Sequence, residues 1–167
     1  RLDDPDLALA RVAPVLKAIM RRSAYLALLS ENRRTLKDFL GIASKSRWLA
    51  EQLAHHPAFF DALLDPRERH LPTRALLAAE LRDRVDAATP DGTERVLDAL
   101  REFKEYHVFN VALAQVRGTL PLMNVSDYLT FLAEAVLGFG AQAVQRGAVG
   151  VEQLDAQCNF RVLRRKY

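Results

Sequence analysis

Apolar residues recur along this chain at three- and four-residue intervals, and no stretch alternates apolar and polar positions between hairpin turns. The pattern predicts helices and no strands. The fold class read from it is all-α: stacked short helix pairs, then a long helix, then a capped antiparallel partner helix. A first helix is expected from about Asp6 to Arg22, offering Leu7, Val12, Val15, Leu16 and Ile19 to the core, with Pro14 either kinking it or marking its first turn. Two consecutive segments read as copies, SAYLALLSENRRTLKDFL from Ser23 and SRWLAEQLAHHPAFFDALL from Ser46. Each opens with a serine able to cap a helix, then an aromatic residue and Leu-Ala, which puts Tyr25 and Trp48 at matching core positions. The offset grows from 23 residues at the serines to 24 between Leu36 and Phe60, so each copy is a short helix pair with one residue inserted at the later joint. Pro57 suits a helix start, because its missing N–H falls among donors that have no intrahelical partner anyway.

Asp65-Pro66 closes the repeated unit, and Thr73 begins an amphipathic stretch through Leu76, Leu77, Leu81 and Val85 that ends near Thr89-Pro90-Asp91-Gly92. Thr93 is expected to cap the longest helix, from Glu94 to about Arg117 with Gly118 as its stop, about 36 Å at 1.5 Å per residue. Its stripe is Leu100, Phe103, His107, Val111 and Ala114, widened by Val96, Leu97 and Val108. After Thr119-Leu120-Pro121, Ser126 is expected to cap a helix from Asp127 to about Arg146, with Asp127 at the positive end of the helix dipole. Residues 1–147 then make one helical connecting or regulatory domain. Residues 148–167, past the loosening glycines Gly147 and Gly150, are a tail or a lead-in to a following domain.

Composition bounds the function. A chain of 167 residues, half of them hydrophobic, is the size of one domain with a real core. The lone Cys158 excludes an internal disulfide and a four-thiolate zinc site within one chain, and fits a reducing cytosol. The longest apolar run, Ala24 to Leu29, is far short of the roughly 18 residues of a membrane span, and no secretory layout opens the chain. The formal charge is +3, but the last seven residues hold Arg161, Arg164, Arg165 and Lys166; without them residues 1–160 carry −1. The basicity belongs to the tail, so no nucleic-acid surface is expected on the body. Arg1 at the start and the basic run before Tyr167 at the end suggest a segment of a longer polypeptide.

The candidate chemistry is thin. Among His55, His56, His70 and His107 there is no His-Glu-x-x-His pair, and His55 and His56 point about 100° apart on a helix, although Glu51 and His55 share a face. His107 is read as a half-buried residue satisfied by a hydrogen bond. Gly138-Phe139-Gly140, followed by Ala143, imitates a dinucleotide fingerprint but lies in a helical pattern with no strand before it, and is read as close helix packing. The only Asp-x-Asp, Asp4 and Asp6, flanks Pro5 as a helix-start cluster, and Asp83 and Asp86 are read as solvated. Arg21-Arg22, Arg33-Arg34 and Arg164-Arg165 are interleaved with acids and read as solvated helix ends. No Walker loop, nucleophile elbow or cysteine–histidine pair is present, and no catalytic, cofactor-binding or metal residue is assigned.

Residues 23–67, especially SRWLAEQLAHHPAFFDALLDPR, and residues 100–135, LREFKEYHVFNVALAQVRGTLPLMNVSDYLTFLAEA, resemble the helical region of the bacterial glutamine synthetase adenylyltransferase family, also called the adenylyl-removing enzyme. In that family two nucleotidyltransferase domains, one attaching and one removing AMP, are joined by helical segments. The resemblance runs from Asp6 to about Gln145 and implies a connecting segment that leads into the second transferase domain. It implies a cytoplasmic parent that uses ATP and Mg²⁺, modifies a tyrosine of glutamine synthetase, and responds to glutamine and a PII-type signalling protein. The expected partners are therefore the adjacent nucleotidyltransferase domains, glutamine synthetase and the PII-type protein, with no nucleic acid and no membrane. Where the family's long helix reads Leu-Arg-Ile-Ala and then an Asp, this chain has Phe109-Asn110-Val111-Ala112 and then Gln115, so two charges become amides. The family's Gly-rich strand and metal-holding Asp-x-Asp have no counterpart here, so no catalytic residue is carried over and the segment is expected not to catalyse. Two other readings remain: a free-standing helical-repeat adaptor, supported by the copies at Ser23 and Ser46, and an RNA-binding module acting through the tail.

Overall fold

The structure, a computed structural model, describes residues 5–20, 23–64 and 71–145. They form α1 (Pro5–Ile19), α2 (Ser23–Glu31), α3 (Arg33–Lys45), α4 (Arg47–His55), a 3₁₀ turn (Pro57–Phe59) leading into α5 (Phe60–Leu64), α6 (Arg74–Ala88), α7 (Thr93–Arg117) and α8 (Leu122–Gln145). The described residues contain no strand, and the chain is all-α. They fall into two compact units. One takes in the described residues up to Leu71 with Phe109–Pro121; the other takes in Pro72–Val108 and the described residues from Leu122. The expected turn at Asp65-Pro66, the Arg21-Arg22 and Arg164-Arg165 pairs, Asp4, His70, Cys158 and all of 148–167 lie outside the described residues.

In the first unit each sequence copy is a helix pair: α2 with α3, and α4 with the 3₁₀ turn and α5. The joints are single residues with a defined chemistry. Asn32 Oδ1 accepts from the backbone N–H groups of Arg34 and Thr35 at 3.1 and 3.2 Å and so caps α3. Ser46 closes one helix and opens the next: its N–H donates to the Ile42 carbonyl at 2.9 Å and its Oγ accepts from Leu49 N–H at 3.3 Å. Pro57 begins the 3₁₀ turn, as its sequence position predicts. The core is built from Val12, Val15 and Ile19 of α1, Phe39 and Ile42 of α3, Leu49 and Leu53 of α4, and Phe60 of α5. The Phe60 ring lies 5.3 Å from that of Phe39 and 5.6 Å from that of Tyr25. Arg11 of α1 donates to the carbonyls of Ala43 and Ser44 at 3.3 and 2.6 Å, a cation satisfying the negative end of α3.

Several expectations need correction here. Leu7 is 44 % exposed and Leu16 only half-buried, because Ala8 leads the inward stripe of α1. Pro14 lies inside α1 and is exposed, so it does not mark the first turn. Tyr25 and Trp48 are half-buried rather than core.

In the second unit, α6 buries Leu77, Leu81, Val85 and Ala88, while Leu76, counted as core from the sequence, is 59 % exposed. Thr73 Oγ1 caps this helix by accepting from Leu76 N–H at 3.4 Å. Arg74 and Arg82, eight residues apart, sit over Phe131 and Phe139 of α8, also eight apart, so α6 and α8 run in the same direction. Glu80 and Arg84 meet His107 and the Phe103 and Tyr106 rings in the reverse order, so α7 is antiparallel to α6 and therefore to α8.

α7 takes in Thr93 as its first residue, its opening N–H, that of Val96, bonding the Gly92 carbonyl at 3.2 Å. It ends in a Schellman turn: Thr119 N–H donates to Ala114 O and Gly118 N–H to Gln115 O, both at 3.0 Å, with Gly118 at φ 71°. Beyond the expected stripe, Phe109 and Leu113 are also buried, on the part of α7 that belongs to the first unit. Arg117 continues that line, reaching the Leu63 carbonyl at 3.5 Å and Asp38 at 3.7 Å. The cap at Ser126 is not found. α8 begins at Leu122, straight after Pro121, so Ser126 is an exposed residue within the helix whose carbonyl accepts from Thr130 Oγ1 at 2.9 Å. Asp127 lies past the first turn, away from the positive end of the dipole. The helix can start early because Val125, Tyr128, Leu132 and Val136 already form its inward stripe.

Candidate functional site

The most concentrated polar chemistry among the described residues is a chain across α6, α7 and α8 in the second unit. His107, on the apolar stripe of α7, is 2 % exposed. Its Nδ1 is 3.0 Å from the Tyr128 hydroxyl of α8, and its Nε2 is 3.3 Å from Glu80 Oε2 of α6. An ionised carboxylate only accepts, so in the neutral ring Nε2 carries the proton and Tyr128 donates to Nδ1. The Nε2–H is not aligned on Glu80, which makes this contact weaker than a well-formed hydrogen bond. Glu80 Oε1 accepts from Arg84 at 2.8 and 3.1 Å, and the Arg84 guanidinium lies over the Phe103 and Tyr106 rings. The Glu80 carboxyl is held below the ordinary glutamate range, first by the His107 N–H, with partial burial opposing and the Arg84 guanidinium adding.

This arrangement links hydroxyl, imidazole and carboxylate as a relay would, but the ring is enclosed and the chain ends on a tyrosine only 7 % exposed. It joins three helices. Sequence reasoning singled out His107 as satisfied by a hydrogen bond; the structure buries it fully. Glu80 and Tyr128 were missed, though each lies level with the inward stripe of its own helix, which was the available signal.

The remaining candidates do not converge. His55 uses Nδ1 on the Glu51 carbonyl at 2.7 Å, while the Glu51 carboxylate takes Arg47 at 2.7 Å. Both flank a groove of about 380 Å³ that Leu7, Ala10 and Pro14 of α1 line against Ala50 and Ala54 of α4. His56 stacks on Phe59 with ring centres 5.0 Å apart. Gly138 and Gly140 are inside α8, and a Cβ on Gly138 would meet nothing within 4 Å, so close packing does not explain that glycine. Asp6, Asp83 and Asp86 are exposed, and Arg33 and Arg34 open α3 as exposed residues. Asn110 is buried; Gln115 is half-buried with its Oε1 enclosed. No group of three or more His, Cys, Asp or Glu that could hold a metal ion is found among the described residues. No helix among them is long and apolar enough to cross a membrane.

Fold and contents together define a class: an all-helical segment whose most concentrated polar contacts among the described residues tie α6, α7 and α8 to one another. The family described as glutamate-ammonia ligase adenylyltransferase matches residues 36–158. The chain is 48 % identical over 136 residues to the bifunctional glutamine synthetase adenylyltransferase/adenylyl-removing enzyme of Pseudomonas putida, covering 81 % of this chain and 14 % of that protein. It is 41 % identical to the protein so described from Thioalkalivibrio sulfidiphilus, with the same coverage, and 41 % identical to that of Pasteurella multocida over 77 % of this chain and 13 % of that one. The chain belongs to the glutamate-ammonia ligase adenylyltransferase family, and it spans about 14 % of the length of the curated relatives it matches most strongly.

Proposed function

We propose that this chain is a non-catalytic helical segment of a glutamine synthetase adenylyltransferase, positioning the nucleotidyltransferase domains that attach AMP to glutamine synthetase and remove it. The observation that carries this reading is the family match over residues 36–158 together with the 14 % of the curated relatives' length that the chain spans. On the same reading the parent is cytoplasmic, uses ATP and Mg²⁺, and answers to glutamine and a PII-type protein, while this segment binds neither nucleic acid nor membrane. The adaptor reading has the two helix pairs in its favour, but the family match, which runs from residue 36 through the second pair, favours the segment reading.

The test is incubation of the isolated chain with labelled ATP, Mg²⁺ and glutamine synthetase. No label above a protein-free control is expected, because two-metal nucleotidyl transfer needs paired carboxylates. Incorporation by this chain alone would overturn the proposal.

A further inference from the structure

α1, with the turn residue Met20 that follows it, carries two apolar stripes of identical spacing. Ala8, Val12, Val15 and Ile19 face the core of the first unit and are at most 3 % exposed. One residue further along, Leu9, Ala13, Leu16 and Met20 repeat the four-three-four interval. Leu9 and Met20 are 65 % and 67 % exposed, Ala13 is exposed and Leu16 is half-buried. Residues one apart on a helix diverge by about 100°, so the neighbours that bury the first stripe leave the second uncovered. A four-three-four apolar seam is the spacing by which one helix packs along another. The exposed Asp6 and Lys17 border it on the side away from the core.

We propose that the Leu9–Ala13–Leu16–Met20 seam is covered by another helix of the same polypeptide, supplied by the part of a full-length adenylyltransferase that lies outside these 167 residues. The inference rests on reading the chain as a segment of that enzyme. Two considerations select this occupant. The curated relatives are far longer than the matched region, which is 14 % of their length, so most of a family member's chain is available to supply the helix. The seam is also small: four side chains offer on the order of 300 Å², against the roughly 800 Å² each partner buries in a stable dimer. A covalently connected helix needs no such area, because the connection supplies its effective concentration.

The test uses the full-length enzyme containing this segment. Met20 is oxidised to the sulfoxide by hydrogen peroxide, and its rate is followed by peptide mass spectrometry in the native enzyme and in guanidinium. Oxidation at least tenfold slower in the native enzyme, unchanged on hundredfold dilution, is the expected result. A smaller slowing shows the seam open and overturns the inference. Protection lost on dilution assigns the seam to a second copy and overturns it equally. Adenylyl transfer measured on the same sample separates the two failures: an active enzyme with a rapidly oxidised Met20 refutes the seam alone, and an inactive one refutes the functional reading.

Discussion

At the scale of single residues, His107 shows how a polar group is tolerated on an apolar stripe: its ring is enclosed, but Tyr128 and Glu80 approach its two nitrogens. Tyr128→Phe keeps the ring and removes the hydroxyl, leaving Nδ1 buried without its donor. The expected cost is about 1–3 kcal/mol, read from the urea midpoint with an unchanged slope. Glu80 makes a pH-dependent contribution whose sign follows from its lowered pKa. Its stabilising effect is present above the unfolded glutamate value and is lost as pH falls through the folded one. Glu80→Gln should therefore destabilise at neutral pH, by less than about 1 kcal/mol given the exposure of the Arg84 pair, and the gap to the parent should close in acid. Unfolding curves at pH 7 and pH 3 check this; a gap that widens in acid would refute the assignment.

At the scale of elements, helix starts decide where the boundaries fall. Asn32 and Ser46 satisfy first-turn N–H groups, whereas Ser126 sits inside α8 with nothing to cap. Asn32→Ala is expected to lower stability by about 1 kcal/mol, and Ser126→Ala to leave the melting temperature unchanged or slightly raised. The contrast is informative because a Ser-Asp pair ahead of an apolar run reads from sequence as a start. Five residues of helix, 122–126, lie upstream of the expected start: Val125 extends the inward stripe by one position, and Pro121 is harmless at a helix entrance.

At the scale of the whole molecule, charge is the property that the fold least constrains. Removing residues 161–167 changes the formal charge from +3 to −1. Any salt-sensitive RNA affinity of the chain should vanish with that truncation, as read by filter binding at 50 mM salt. Affinity retained by the truncated chain would point to a binding face on the helical body.

The helical class, the paired copies at Ser23 and Ser46 and the long helix ending at Gly118 were legible in the sequence, because periodicity, capping residues and glycine stops are local signals; the family was legible only through the resemblance of residues 23–67 and 100–135 to it. The tertiary structure alone decided which of two adjacent apolar positions faces inward: Ala8 over Leu7 in α1, Leu77 over Leu76 in α6. It also brought Glu80, His107 and Tyr128 together from positions 27 and 21 residues apart. Such choices depend on how a helix is rotated against its neighbours, and that rotation is fixed by packing between residues distant in the chain, which no local pattern encodes.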